Sequence, residues 1–253
     1  SYPLHIRRVQ RFLGMAKALS GRLVVPLNYY GAHTGRFSGA DGINYQNLTK
    51  KSKAPRVTEL RQCIQAPEGY SLLVADYSQI EARIVAWYAG EKELLSDFAQ
   101  NKDPYSKFAS HVAGKPIHKP TKEDGSLAYS FHYNWRFLGK TCVLGAGFGL
   151  GAERLLAQLK NEPEIDPAML TEELAEKLIG QFRTQYNRIV KLWYTVQQLM
   201  TDASTYYQLR LSLNNISATV LCHKLMVNLP SGRSLFYEDF HKEGTQLFVG
   251  NKK

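Results

Sequence analysis

The chain has 253 residues, is 44% hydrophobic, and carries 32 Lys and Arg against 22 Asp and Glu, a net charge of +10. That apolar fraction buries a sizeable core as one compact unit or two closely packed subdomains, so the protein is globular. No apolar run reaches bilayer length, residues 1–13 lack the apolar core of a signal peptide, and Cys63, Cys142 and Cys222 form no C-x-x-C pair. These features argue against a membrane span, a disulfide framework and a zinc site, and a soluble, cytoplasmic protein is expected.

The charge is localised. The first 61 residues hold eleven Lys or Arg against only Asp41 and Glu59, a net of +9, while the rest is nearly balanced at 21 basic to 20 acidic. Such an excess suits a polyanion, nucleic acid first, although Lys50, Lys51 and Lys53 taken singly also read as solvated loop residues. Over positions 5–19, Ile6, Val9, Phe12, Leu13 and Ala16 recur at helical spacing, with Arg7, Arg8, Arg11 and Lys17 elsewhere on the wheel. This is a basic amphipathic helix, closed by Gly21. Residues 28–47 are dense in Gly, Asn, Ser and Thr, with Tyr29, Tyr30 and Phe37 among them, an irregular stretch of a length usually tied to function or disorder.

After the turn Pro67-Glu68-Gly69, residues 71–75 suit a buried strand leading into Asp76, and residues 80–88 read as a helix. Residues 115–130 are polar, carry two prolines and read as a loop. Helical spacing returns at Trp135 and runs to about Leu144, where Gly145, Gly147, Gly149 and Gly151 interrupt it. One long helix is predicted over residues 171–200, with Leu174, Leu178, Phe182, Tyr186, Ile189 and Trp193 as its apolar stripe. Thr171 is its N-cap, and Glu172 and Glu173 complement the helix dipole. Residues 211–227 alternate imperfectly and suit strands near the turn Pro230-Ser231-Gly232. Trp193 and the histidines read as structural.

Four stretches carry chemistry. Residues 72–83, LLVADYSQIEAR, place Asp76 at the end of the predicted strand, either as a ligand for a hard divalent cation or as a cap for the following helix. In residues 136–149, RFLGKTCVLGAGFG, Arg136, Lys140 and Leu144 fall four apart on one helix face, a pair of cations that either grips a polyphosphate or is simply solvated. Thr34-Gly35-Arg36-Phe37-Ser38 is followed by Asn44-Tyr45-Gln46-Asn47-Leu48, and each half alone is an ordinary turn. Asp103-Pro104-Tyr105 offers Tyr105 as a site residue or as a buried tyrosine. Gly147, Gly149 and Ala152 fit G-x-G-x-x-A, but they follow a helix rather than a strand, which argues against a dinucleotide fold.

These stretches, in this order, resemble the motifs of family A (polymerase I type) DNA polymerases over residues 20–233. DYSQIEAR is similar to motif A, D-Y-S-Q-I-E-L-R, with Ala82 the one departure. The second stretch is similar to motif B, R-x-x-x-K-x-x-x-[FY]-G-x-x-[YF]-G, with Leu144 where cellular members carry an aromatic residue that packs on the nucleotide sugar. The third resembles T-G-R-x-S followed by N-L-Q-N, with Tyr45 for leucine, and the fourth resembles D-[IV]-[HY]. The runs VPLNYYG from Val25 and GKTC from Gly139 resemble phage members.

The resemblance implies dNTPs and primer-template DNA as partners, with no membrane partner, and Mg²⁺ at a two-metal site. It assigns Asp76 and the Tyr77 carbonyl to the metal, and Glu81 to closing the pocket against a ribose 2′-hydroxyl. Gln79 on the nucleotide side and Arg83 on the DNA side serve the surrounding hydrogen-bond network. Arg136 and Lys140 grip the triphosphate, with Lys140 also a candidate general acid toward pyrophosphate. Leu144 lies by the sugar, Phe148 near the templating base with Gly149 at the DNA, and Tyr105 at the phosphates. Thr34, Arg36, Gln46 and Asn47 track the minor groove, whose acceptors are common to every base pair.

The fold so implied is α+β and helix-rich, a right-hand polymerase palm and fingers with an incomplete palm. Residues 1–83 are the thumb end and N-terminal palm part, 84–229 the fingers, and 230–253 the start of the returning palm segment. The His-Asp-Glu triplet of motif C is absent, and the late acidic residues Glu238, Asp239 and Glu243 do not replace it. The expectation is a fragment truncated before motif C and inactive alone, with a C-terminal segment or partner chain supplying the second carboxylate. The alternatives are a non-catalytic module that holds primed DNA or nucleotide, or one half of a split polymerase. A single-subunit RNA polymerase is the remote reading, and Glu81 argues against it.

Overall fold

The computed structural model describes residues 2–32, 34–48, 59–162, 165–206, 210–213, 215–244 and 246–250, in two compact units, Ser1–Asp76 and Tyr77–Lys253. The basic cluster Lys50, Lys51 and Lys53 lies outside the described residues.

The first unit is built on helix α1, Tyr2–Ala18. Its apolar stripe is only partly used: Phe12 is buried, whereas Ile6, Val9 and Leu13 are exposed. Phe12, Ile43 and Leu48 form a small core with Met15, Leu23, Tyr45, Leu60 and Ile64 packed against it. Strand β1, Leu27–Asn28, pairs antiparallel with β2, Ser38–Gly39, so part of the predicted irregular stretch is a short hairpin. A 3₁₀ turn at Tyr45–Asn47 follows, and then the short helix α2, Glu59–Gln62.

The second unit opens with α3, Ile80–Ala89, α4, Lys92–Ala99, and α5, Pro104–Ala113. Helix α6, Ser126–Ala146, is followed by α7, Ala152–Lys160, α8, Glu172–Gln185, and α9, Asn187–Thr205. Phe108 of α5 and Phe182 and Tyr186 of the α8–α9 region are completely buried, with ring centroids 5.2 to 6.4 Å apart. Around them pack Leu138 of α6, Leu155 of α7 and Leu178 of α8, all fully buried. Helices α5 and α6 approach closely because Gly139 has no side chain; a Cβ there would lie 2.5 Å from the Tyr105 carbonyl oxygen.

Strands β3, Leu211–Leu213, β4, Ile216–Leu221, β5, Lys224–Asn228, and β6, Ser234–Tyr237, form an antiparallel meander in that order. The cross-strand pairs Ala218↔Val227 and Val220↔Leu225 put the alternating buried residues on one face, against Leu199 and Ala203 of α9. A hairpin of β7, His241–Glu243, and β8, Gln246–Phe248, follows. Among the described residues no helix is long and apolar enough to cross a membrane.

Three expectations are corrected. The single helix over 171–200 is two, broken at Tyr186 with φ −111° and ψ 51°; seating its ring between Phe108 and Phe182 takes precedence over helical continuity. The loop over 115–130 ends early, because α6 begins at Ser126. Its first turns carry solvent-facing apolar residues, Leu127 at 87% exposure among them, so no amphipathic periodicity announces them. The buried strand at 71–75 is exposed coil, with Leu73 at 95% and Val74 at 81% exposure. Among the described residues no strand pairs with it, and an extended segment without a ladder partner has no sheet to join.

The predicted N-cap is present. The Leu174 amide donates to Thr171 Oγ1 at 3.1 Å at the start of α8. Thr171→Ala is expected to lose about 1 kcal/mol of stability, measured by urea denaturation, with Thr171→Asn close to the parent.

Candidate functional site

Helix α6 carries the two cations that sequence spacing selected. Lys140 is exposed, while Arg136 is half-buried one turn before it. Arg136 Nε donates to Asp103 Oδ2 at 2.6 Å and Nη2 to Asp103 Oδ1 at 3.3 Å, a two-point ion pair between α6 and the start of α5. Ser106 Oγ donates to the same Oδ2 at 2.7 Å. The guanidinium also sits over the Tyr105 ring, 5.7 Å from its centroid.

Tyr105 is only 2% exposed, and burial, with the neighbouring Asp103 adding to it, pushes its phenol up to about 12. Its ring therefore forms the floor beneath Arg136 and is not open to direct ligand contact. Leu144 is half-buried and packs against the helical core, and burial pushes the Cys142 thiol of that core up to about 12. Asp103 is the partner of Arg136 that spacing missed: it lies 33 residues away, and only the Asp-Pro-Tyr tripeptide drew attention to its neighbourhood.

Beyond α6 the chain turns sharply. Phe148 projects at 64% exposure, and Gly149 follows at φ +80°. Trp193 Nε1 donates to the Gly147 carbonyl at 3.1 Å, tying α9 to the end of α6. A cavity of ≈ 460 Å³ beside Phe148 is lined by Val85, Leu192, Trp193, Val196 and Met200. The expected structural role of Trp193 agrees with this contact.

The acidic stretch has a different character. Asp76 and Tyr77 are exposed, the latter at 82%, and Glu81 is exposed on the first turn of α3. The cap position of α3 is Gln79, at φ 58° and with no side-chain cap bond, so Asp76 is not its N-cap. Arg83 Nε donates to the Ser78 carbonyl at 2.9 Å, and its guanidinium lies 4.5 Å from the Phe98 ring centroid. That side chain fixes the turn before α3. Among the described residues no three His, Cys, Asp or Glu side chains come together as a metal site. Mg²⁺ needs near-octahedral oxygen ligation, so the residues present do not by themselves fit a two-metal centre.

In the first unit the Gly35 amide donates to the Ala32 carbonyl at 2.9 Å, and Gly35, at φ +84°, lies against the Tyr30 ring. Thr34 and Arg36 are exposed on this turn. The Gln46 amide donates to Asn44 Oδ1 at 2.9 Å, leaving the Gln46 side chain outward; the Asn47 side chain lies outside the described residues. Tyr45, where the resembling motif has leucine, packs on Phe12 at 5.1 Å and donates its hydroxyl to the Val24 carbonyl at 2.8 Å. A cavity of ≈ 710 Å³ beside α1 is lined by Arg7, Arg8, Arg11, Gly39 and Asn44, so the localised charge borders a concave surface.

The chain is similar to known proteins over most of its length. It is 32% identical over 163 residues to DNA polymerase I of Chloroflexus aurantiacus, covering 64% of this chain and 15% of that one. It is 29% identical over 258 residues to the DNA polymerase of Bacillus phage SP02, covering 90% of this chain and 38% of that one. Among solved structures, the POL domain of Pol1 from M. smegmatis, in complex with DNA primer-template and dNTP, superposes with a TM-score of 0.58 at 24% identity. That match covers 93% of this chain and 34% of the other, and shows the fold to be that of a polymerase domain. The chain thus spans between 15% and 38% of the length of these relatives. The sequence profile of DNA polymerase family A matches residues 4–221, most of the chain, and this chain belongs to that family.

Proposed function

We propose that this chain selects and holds the incoming dNTP against a primed template in DNA synthesis, in the cytoplasm of a bacterial or phage-infected cell. The observation that carries the reading is the pair Arg136 and Lys140, one turn apart on α6, with Phe148 projecting beyond them. Arg136 binds phosphate oxygens, Lys140 donates charge and then a proton toward the leaving pyrophosphate, and Phe148 stacks by the templating base. Thr34, Arg36, Gln46 and Asn47 meet the minor groove, and the arginine-lined cavity beside α1 meets phosphodiester oxygens. Residues 1–83 serve as thumb end and N-terminal palm, 84–229 as fingers, and 230–253 as the start of the returning palm. This division falls within α3, between Arg83 and Ile84, whereas the compact units divide seven residues earlier, after Asp76.

Asp76 would supply one ligand to Mg²⁺ beside the Tyr77 carbonyl, and polypeptide outside these 253 residues would supply the second carboxylate. Primer extension tests the reading: the chain is assayed alone and with a family A C-terminal palm segment added. Extension that needs both the segment and Asp76 supports it. No extension with the segment present overturns the catalytic reading, and DNA binding that is salt-dependent and survives Asp76→Ala would then identify a holding module.

Glu81 is exposed at the start of α3 and is assigned to sugar discrimination. In the completed enzyme Glu81→Ala is expected to lower the preference for dNTP over rNTP about 100-fold, with little loss of dNTP use. Unchanged discrimination in competing single-nucleotide incorporation would remove Glu81 from that role.

A further inference from the structure

We propose that Asp103 is a positioning residue for Arg136, presenting one edge of the guanidinium to a nucleoside triphosphate while its own carboxylate occupies the other. The inference rests on the nucleotide-binding reading of α6 and adds to it a residue 33 positions away in sequence.

The local sequence explains why this carboxylate is available. Asp103 sits at the N-cap of α5, where an aspartate ordinarily accepts from the amides of the first turn. Pro104 at the first helical position holds Asp103 extended, at φ −86° and ψ 99°, and no side-chain cap bond forms. The carboxylate turns instead across the close α5–α6 contact permitted by Gly139. It accepts from Arg136 Nε and Nη2 and from Ser106 Oγ, so three donors fix its place.

This geometry leaves a defined part of the arginine free. Nε and Nη2 lie on the edge facing Asp103, the Tyr105 ring lies under one face, and Nη1 makes no hydrogen bond among the described residues. Lys140, one turn further along α6, is exposed and makes no ion pair among the described residues. An anion with several phosphate oxygens can thus meet Nη1 and the Lys140 ammonium from the same side of the helix. Two effects of the carboxylate oppose each other: it repels an incoming anion, and it removes the rotational freedom of a long side chain before binding. Because three hydrogen bonds already direct the carboxylate away from the free edge, preorganisation prevails.

The test is binding, by titration calorimetry on the full chain, of dATP and of inorganic tripolyphosphate as probes. Asp103→Asn, which keeps shape and the Ser106 contact, is expected to weaken both probes roughly tenfold. Added to Arg136→Ala it should cause no further loss, whereas added to Lys140→Ala it should cause its full loss. Asp103→Glu should recover part of the affinity. Should Asp103→Asn fail to fold by circular dichroism, Ser106→Ala, which removes one donor from the carboxylate, is expected to give a smaller loss with the same dependence on Arg136. Unchanged or tighter binding in the folded Asp103→Asn variant, with Arg136→Ala still weakening it, overturns the positioning role and leaves the nucleotide-binding reading intact. No weakening by Arg136→Ala itself overturns that reading.

Discussion

Replacing Lys140 with alanine is expected to slow nucleotide incorporation by the completed enzyme about 100-fold and to raise the nucleotide concentration it needs. The side chain is exposed on α6 and joins no ion pair among the described residues, so its loss removes charge from the site without disturbing the core. Lys140→Arg separates its two assigned contributions. Arginine keeps the positive charge but scarcely releases a proton, so ground-state affinity should largely return while the rate of transfer does not. Rapid-quench measurement of a single incorporation gives both quantities. A rate unchanged in Lys140→Ala would take this residue out of the chemistry.

Phe182→Ala is expected to cost about 3 to 5 kcal/mol of stability, read as a fall in the urea midpoint. Phe182 has no exposed surface, and its ring meets Phe108 at 6.4 Å, Tyr186 at 5.2 Å and Trp193 at 6.1 Å. It therefore joins α5, α8 and α9 at one point. The loss should also reach the site, because the Trp193 ring stacked on Phe182 donates to the Gly147 carbonyl where α6 ends. Leu127→Ala, at a side chain 87% exposed, should stay within about 0.5 kcal/mol of the parent. A Phe182→Ala variant as stable as Leu127→Ala would contradict the packing described.

Much of this is legible in the sequence. The Thr171 cap, the start of α3 at Ile80 and the four-residue spacing of Arg136 and Lys140 each depend on contacts within a few residues, which sequence pattern reports directly. What escaped depends on distant partners. The break at Tyr186 interrupts an apolar stripe that continues unbroken through it, because the cause is the fit of one ring between Phe108 and Phe182. Residues 71–75 read as a buried strand from composition alone, yet burial of a strand requires neighbours, and none pairs with them among the described residues. The Asp103–Arg136 pair joins two helices through a glycine contact that neither local sequence announces.

The central claim is template-directed choice of nucleotide, and it can be measured without turnover. A fluorescent primed DNA hairpin ending in a dideoxynucleotide is titrated with the chain, in Mg²⁺ buffer, with each of the four dNTPs in turn. The dNTP complementary to the next template base should tighten the complex about tenfold, the other three should not, and Lys140→Ala should abolish the difference. Equal effects of all four dNTPs, or none from any, would contradict the account.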